Sequence, residues 1–253
     1  MFKKIILASA LAAVSSFAAW DLFPVLDYRQ GQTRFTSNYT TFSDEGERYH
    51  SLNLYFGSRY AVFPDFELAL VVPYRVFSYY GGNKLGTDGT GKINLLTRYQ
   101  FIPTMNVFAD ISFPDESSCY EDPWYFNFGL QFSRKVNRWF DFGSQLSAET
   151  RTKGEEDGVP LITFAALELD FTVMENFAPY IKTSGALHLG EFSDHGYQFS
   201  HGGGDLYLTS DVGVKYDFDE TFSMDASARI GKWVNVDDSP LVIGVALDIL
   251  MNF

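Results

Sequence analysis

Three observations in the 253-residue sequence predict one fold class, an all-β antiparallel up-and-down barrel that crosses a membrane through about twelve strands. The first is a period-two apolar pattern at the carboxyl end. Leu241, Ile243, Val245, Leu247, Ile249, Met251 and Phe253 share one parity, with Gly244, Ala246, Asp248 and Asn252 on the other. The second is an alternation of tight and long connections between such segments. The third is a 17% aromatic content, with 25 Phe and 15 Tyr, more than one globular core requires. Tyr and Trp are the residues set at the two interfaces of a membrane barrel.

Taken in order, the amino terminus reads as an export signal over residues 1–18. Lys3 and Lys4 supply a positive start, an apolar run follows, and small residues surround a cut after Ala18. The run is too short for a membrane helix, which needs roughly 20 apolar residues. Residues 19–253 then form the barrel domain. Within it, residues 19–31 make a periplasmic segment that can fold inward as a plug.

Alternation places the strands at 32–42, 49–62, 66–76, 92–101, 105–113, 124–134, 139–150, 161–172, 177–189, 205–218, 221–232 and 241–253. The even number suits a single-chain outer-membrane barrel. Pro73 falls inside the third strand, where it removes a ladder hydrogen bond. Ile162, Phe164 and Pro179 blur the pattern in the eighth and ninth strands. The connections 63–65, 102–104, 135–137, 173–176 and 219–220 are short; 43–48, 77–91, 114–123, 151–158, 191–204 and 233–240 are long and rich in Gly, Asp and Ser. Short periplasmic turns and long extracellular loops produce this asymmetry and put both termini on the periplasmic side. Tyr60, Phe66, Tyr99, Phe101, Trp139, Phe140, Tyr216, Phe218 and Phe222 are expected in the periplasmic aromatic girdle. Tyr49, Phe113, Trp124 and Trp233 are expected in the outer one.

Val245, Leu247, Ile249, Met251 and Phe253 have the form of a terminal assembly signal, which makes the barrel assembly machinery and outer-membrane lipid the expected partners. If the apolar parity faces lipid, the inward basic residues are Arg34, Arg59, Arg75, Arg98, Lys182, Lys215 and Arg229. The inward acidic residues are Glu67, Asp110, Asp141, Glu149, Glu168, Asp170, Asp211, Asp225 and Asp248. The basic residues of the first four strands face an acidic remainder, a distribution that either sets a transverse field across a pore or packs the lumen with ion pairs.

A formal net charge of −13 excludes nucleic acid as a partner. One cysteine, Cys119, precludes an intramolecular disulfide, and no His or Cys cluster has metal-ligand spacing, so no cofactor or metal is expected. A hydrolase would need a nucleophile and base brought together. His50 has no serine of matching height and parity on the neighbouring strands, and Asp194-His195 with His201, which could suggest an acid–base pair, lie in a long loop where histidines are more often solvated, so no catalytic residue is assigned and no enzyme is expected.

Tyr60-Ala61-Val62-Phe63-Pro64-Asp65-Phe66-Glu67-Leu68, running on to Val72-Pro73-Tyr74, is followed by Gly89-Thr90-Gly91-Lys92-Ile93-Asn94-Leu95. A related step recurs at Gly203-Gly204-Asp205-Leu206. On these motifs the chain resembles the outer-membrane β-barrel family associated with the meta-pathway of phenol degradation, with Lys92 standing where that family usually has Asp. The resemblance implies a channel for small hydrophobic or aromatic solutes in the bacterial outer membrane. The alternatives are a structural or surface-display barrel without transport and, further off, an outer-membrane hydrolase.

Overall fold

The computed structural model describes residues 25–86, 88–113, 123–152, 158–193, 196–199 and 205–253. The signal region, Cys119, His195 and His201 lie outside the described residues. Fifteen strands form one antiparallel sheet: β1 (Gly31–Asp44), β2 (Glu47–Phe63), β3 (Phe66–Tyr80), β4 (Asn83–Lys84), β5 (Gly89–Thr90), β6 (Asn94–Ile102), β7 (Met105–Ser112), β8 (Tyr125–Asn137), β9 (Phe140–Arg151), β10 (Val159–Phe171), β11 (Phe177–Ser193), β12 (Gly196–Phe199), β13 (Leu206–Asp217), β14 (Phe222–Trp233) and β15 (Val242–Asn252). Twelve of them follow one another around the wall, and β10 pairs with β11 while β1 pairs with β15, so the sheet closes without a free edge. The remaining three are short ribbons at the long-loop end: β4 and β5 fold back on β3, and β12 on β11.

Closure between β1 and β15 runs over ten residue pairs, from Gln32 opposite Asn252 to Thr41 opposite Ile243. Phe253 extends it, since its N–H donates to the Gly31 carbonyl at 2.9 Å and its own carbonyl accepts from the Gly31 N–H at 2.8 Å. A Cβ on Gly31 would stand 2.3 Å from the Phe253 ring, so any larger residue there pushes that ring aside. Gly31→Val is expected to displace Phe253 and lower the temperature at which the folded band is lost on semi-native electrophoresis, whereas Thr33→Val, one outward position further on, is expected to leave it unchanged.

The exposed parity is apolar almost throughout. Val245, Leu247, Ile249 and Met251 are exposed on β15, as are Phe56, Leu70, Phe128, Leu146, Leu167, Ile181, Val212 and Ile230 on other strands. The buried parity carries Gln32, Arg34, Asn38, Arg98, Gln131, Glu168, Lys182, Asp211 and Asp248. This is the reverse of a water-soluble barrel, which hides its apolar face. The aromatics Tyr60, Tyr99, Phe101, Trp139, Phe218 and Phe222 are exposed near the short turns.

The connections differ from the expected pattern at one hairpin. Residues 43–48 are not a long loop: β1 and β2 stay paired to Asp44 and Glu47, leaving Glu45 and Gly46 as a two-residue turn. Both have positive φ, at 49° and 87°, the geometry of a type I′ turn that matches the twist of its strands. At the third strand the ladder to β6 stops at Val71 and Asn94, then resumes with β5 at Tyr74 and Thr90. Pro73 sits in the gap, and its carbonyl is satisfied by the Gly91 N–H at 2.9 Å. Residues 91–93 therefore lie outside the strand expected to begin at 92.

Candidate functional site: the inner face of the barrel

The inner face has two levels. Near the middle and the short-turn end it carries charge. Side chains of like parity on neighbouring strands stand opposite one another, and the register brings acids and bases together. Arg34 on β1 bonds Asp248 on β15, Arg98 on β6 bonds Asp110 on β7, and Arg229 on β14 bonds Asp211 on β13. Arg59 lies 3.5 Å from Glu67 and also donates to Gln32 Oε1 at 3.0 Å. A larger group joins β10, β11 and β13. Lys215 Nζ donates to Glu168 Oε1 and Asp170 Oδ1, each at 2.7 Å, and Lys182 Nζ is 3.8 Å from Glu168 Oε2. Glu168 is 0% exposed and Lys182 2%. Burying either group carries a desolvation cost that their pairing offsets.

Of the other inward acids, Asp225 accepts from Tyr180 Oη at 2.8 Å and lies directly opposite both Asp248 and Lys215. Asp141 stands opposite Asp170 and keeps one oxygen buried without a hydrogen-bond partner. Glu149 stands opposite Ile162 and Asn127. No ion pair with a described cation is formed by Asp141, Glu149 or Asp225. Arg75 differs from the other basic residues: it is exposed, opposite Asn53 and Gly89, just below a bulge that leaves Val76 without a partner on β2. Acids and bases meet in local pairs: Arg34–Asp248 joins β1 to β15 across the closure and the others join strands near one another in sequence, while β1, β2, β3 and β6, which carry Arg34, Arg59, Arg75 and Arg98, stay contiguous in the wall. No group of three or more metal-ligating side chains forms among the described residues.

Toward the long-loop end the same face becomes apolar. Phe42, Tyr49, Ala186, Tyr207, Trp233 and Val242 form one buried cluster, with Tyr80, Leu85, Ile162, Phe164 and Val236 packed on it. Tyr49 and Trp233 were expected in the outer girdle. They share parity with Ser51 and Gly231, point inward and are buried. Ile162 and Phe164 blur the pattern of β10 for the same reason, being apolar residues on the inward parity that Glu168 and Asp170 also occupy. Phe42 stacks on Tyr49 with centroids 4.7 Å apart, and Tyr207 meets Trp233 at 5.1 Å. The collar thus runs along eight neighbouring strands, from β10 through β11, β13, β14, β15, β1 and β2 to β3. Tyr207 Oη is buried in it without a described hydrogen-bond partner. Sequence parity carried the signal for this collar; reading the strand-end aromatics as girdle residues hid it.

Residues 25–30 reach the short-turn end of the inner face. The Leu26 N–H donates to Glu67 Oε2 at 3.1 Å and the Val25 N–H to Gln100 Oε1 at 3.3 Å. Arg29 and Gln30 bond the backbone of Ala61 at 3.1 and 3.0 Å. His50 faces outward against the rings of Phe77 and Tyr79, at 5.9 and 5.5 Å, and stands opposite Thr41, whose hydroxyl donates to the Tyr49 carbonyl at 2.8 Å.

No protein-family model matches this sequence, and no curated protein does. Solved structures do share the architecture. A COG4313 outer membrane channel from Pseudomonas putida F1 superposes with a TM-score of 0.66 at 12% identity, over 91% of this chain and 98% of that one. The fold is that of an outer-membrane barrel. The CymD monoaromatic hydrocarbon channel gives 0.53 at 9% identity, over 90% and 89%. The translocator domain of the autotransporter NalP from Neisseria meningitidis gives 0.54 at 10% identity, over 99% and 96%. A hydrocarbon channel and an autotransporter translocator thus share this architecture, so the fold alone does not choose a solute.

Proposed function

We propose that the protein is an outer-membrane channel that passes small hydrophobic or aromatic solutes, in line with the resemblance to the family associated with the meta-pathway of phenol degradation. The observation that carries the solute class is the aromatic collar on the inner face. A passage for hydrophilic solutes has no use for Phe42, Tyr49, Tyr207 and Trp233 buried together inside the wall. A flat apolar solute replaces ring-to-ring contacts there with its own.

Below the collar, the paired charges provide a polar level. The inward carboxylates named above outnumber the inward cations, so ions crossing this level are expected to be mainly cations. Of the segment 19–31, the described residues 25–30 act as a plug at the periplasmic mouth, a role supported by the bonds from Val25 and Leu26 to Gln100 and Glu67. Export through residues 1–18 and insertion by the barrel assembly machinery, guided by Val245 to Phe253, complete the reading.

A second reading, a structural barrel without transport, is favoured by one observation: Lys182, Gln131 and Glu168 are fully buried, so the middle of the barrel is packed. Planar-bilayer recording separates the two. The channel reading predicts discrete cation-selective steps that aromatic hydrocarbons block at lower concentration than sugars. Removal of residues 19–30 is expected to raise unit conductance several-fold, and Trp233→Ala is expected to weaken block by aromatics while leaving cation selectivity intact. Silent bilayers from correctly folded wild-type and truncated protein would leave the structural barrel.

A further inference from the structure

Among the described residues, the short-turn end of the wall carries one basic patch, with Arg134 on the outer face and Lys135 on the inward parity. The turn from β8 to β9 holds Arg134, Lys135 and Arg138 within five residues, all exposed. In a chain of net charge −13 the other short turns carry no such cluster: Asp65 lies in one, Glu175 in another, Asp219 and Glu220 in a third, and Pro103-Thr104 has no charge. None of the three basic side chains pairs with a described carboxylate, in contrast to the cations buried on the inner face. Asp141 is the facing acid, opposite Lys135 on the inward parity.

Arg134 belongs to the outward parity, continuing the series Phe128, Leu130 and Phe132, and stands opposite Phe142. An outward arginine at the end of an apolar strand lays its stem along the hydrocarbon and lifts its guanidinium to the headgroup level. Beside it the outer face is aromatic. Phe132 and Phe142 have centroids 5.2 Å apart, and Phe140 and Phe171 5.4 Å apart. Arg138 lies over the ring of Trp139, 4.5 Å from its centroid, which holds a second guanidinium at the same rim.

We propose that this turn is a binding site for an anionic glycerophospholipid of the inner leaflet. Arg134 and Arg138 donate to the phosphodiester, Lys135 adds to the local positive field, and the acyl chains run along Phe132, Phe142, Phe140 and Phe171. The inference rests on the barrel spanning the outer membrane with its short turns on the periplasmic side, and does not depend on which solute the lumen carries. Lipid is favoured over a soluble acidic partner because the first guanidinium and the aromatic pairs lie on the hydrocarbon-facing parity, which only a molecule inside the membrane reaches.

The test is native mass spectrometry of the purified full-length protein in a neutral detergent, titrated with phosphatidylglycerol or phosphatidylcholine of the same chain length. The wild type is expected to retain one phosphatidylglycerol at least tenfold more strongly than phosphatidylcholine. Both the single variant R138Q, at an exposed turn position, and the triple variant R134Q/K135Q/R138Q are expected to lose that preference. K232Q, at the opposite rim, is expected to keep it, and glycerol 3-phosphate at the same concentration is expected not to compete. Equal retention of the two lipids, a preference that survives the triple substitution, or one that K232Q abolishes equally would overturn the proposal. So would competition by glycerol 3-phosphate or by soluble peptidoglycan fragments, either of which would mark a site for a soluble anion. Wild-type protein that fails to insert into vesicles would contradict the membrane reading itself, whereas inserted protein without lipid preference contradicts this site alone.

Discussion

Glu168→Ala is expected to cause the largest loss of stability of any single inner-face substitution. Glu168 is fully buried and serves two lysines, Lys215 at 2.7 Å and Lys182 at 3.8 Å. Removing the carboxylate leaves Lys182 buried on the inner face without this neighbour and leaves Asp170 to serve Lys215 alone. Breaking a buried pair by deleting one partner costs about 3–5 kcal/mol, most of it the uncompensated charge. The expected result is a matching fall in unfolding free energy when the protein is refolded into vesicles and titrated with denaturant. Glu168→Ala combined with Lys182→Met should recover part of the loss, because the double change removes a stranded charge along with its partner. A double variant as unstable as the sum of its parts would mean that the two groups act independently.

Val212→Lys tests the outer face. Val212 lies near the middle of β13, is 62% exposed, and stands between Ile181 on β11 and Ala228 on β14. If that parity meets hydrocarbon, a lysine near the bilayer midplane costs about 2–4 kcal/mol. In water the same substitution would be close to neutral. Measured in vesicles, Val212→Lys should lower unfolding free energy by that amount, while Tyr216→Lys, on the same outward parity at the short-turn end of the strand, should cost less. A neutral Val212→Lys would contradict the assignment of the exposed apolar parity to lipid.

Much of this wall is legible in the sequence because the side-chain period of a strand is local. Phe126, Phe128, Leu130 and Phe132 reveal β8 without reference to any neighbour, and Pro64-Asp65 and Pro103-Thr104 mark their turns by composition. What needs the neighbours is less legible. Arg34 and Asp248 are 214 residues apart, and their pairing exists only because the barrel closes. Charges read strand by strand therefore do not reveal that this pair is adjacent. Tyr49 and Trp233 misled for another reason: aromatic residues at strand ends suit either an interface girdle or an inward collar, and only their parity with Ser51 and Gly231 decides. The Glu45-Gly46 turn was hidden among polar residues that resemble a loop, although glycine at its second position fits the type I′ geometry found there.

The collar and the paired level beneath it make one arrangement. The inner face offers rings first and an acid-rich charged level second, a sequence that retains an apolar molecule at the outer end and favours cations below it. Planar-bilayer recording of the full-length protein with and without an aromatic hydrocarbon tests this most directly. The expected result is discrete cation-selective steps that the hydrocarbon blocks from the extracellular side, with block weakened in Trp233→Ala; folded, inserted protein that conducts without block in both forms would contradict it.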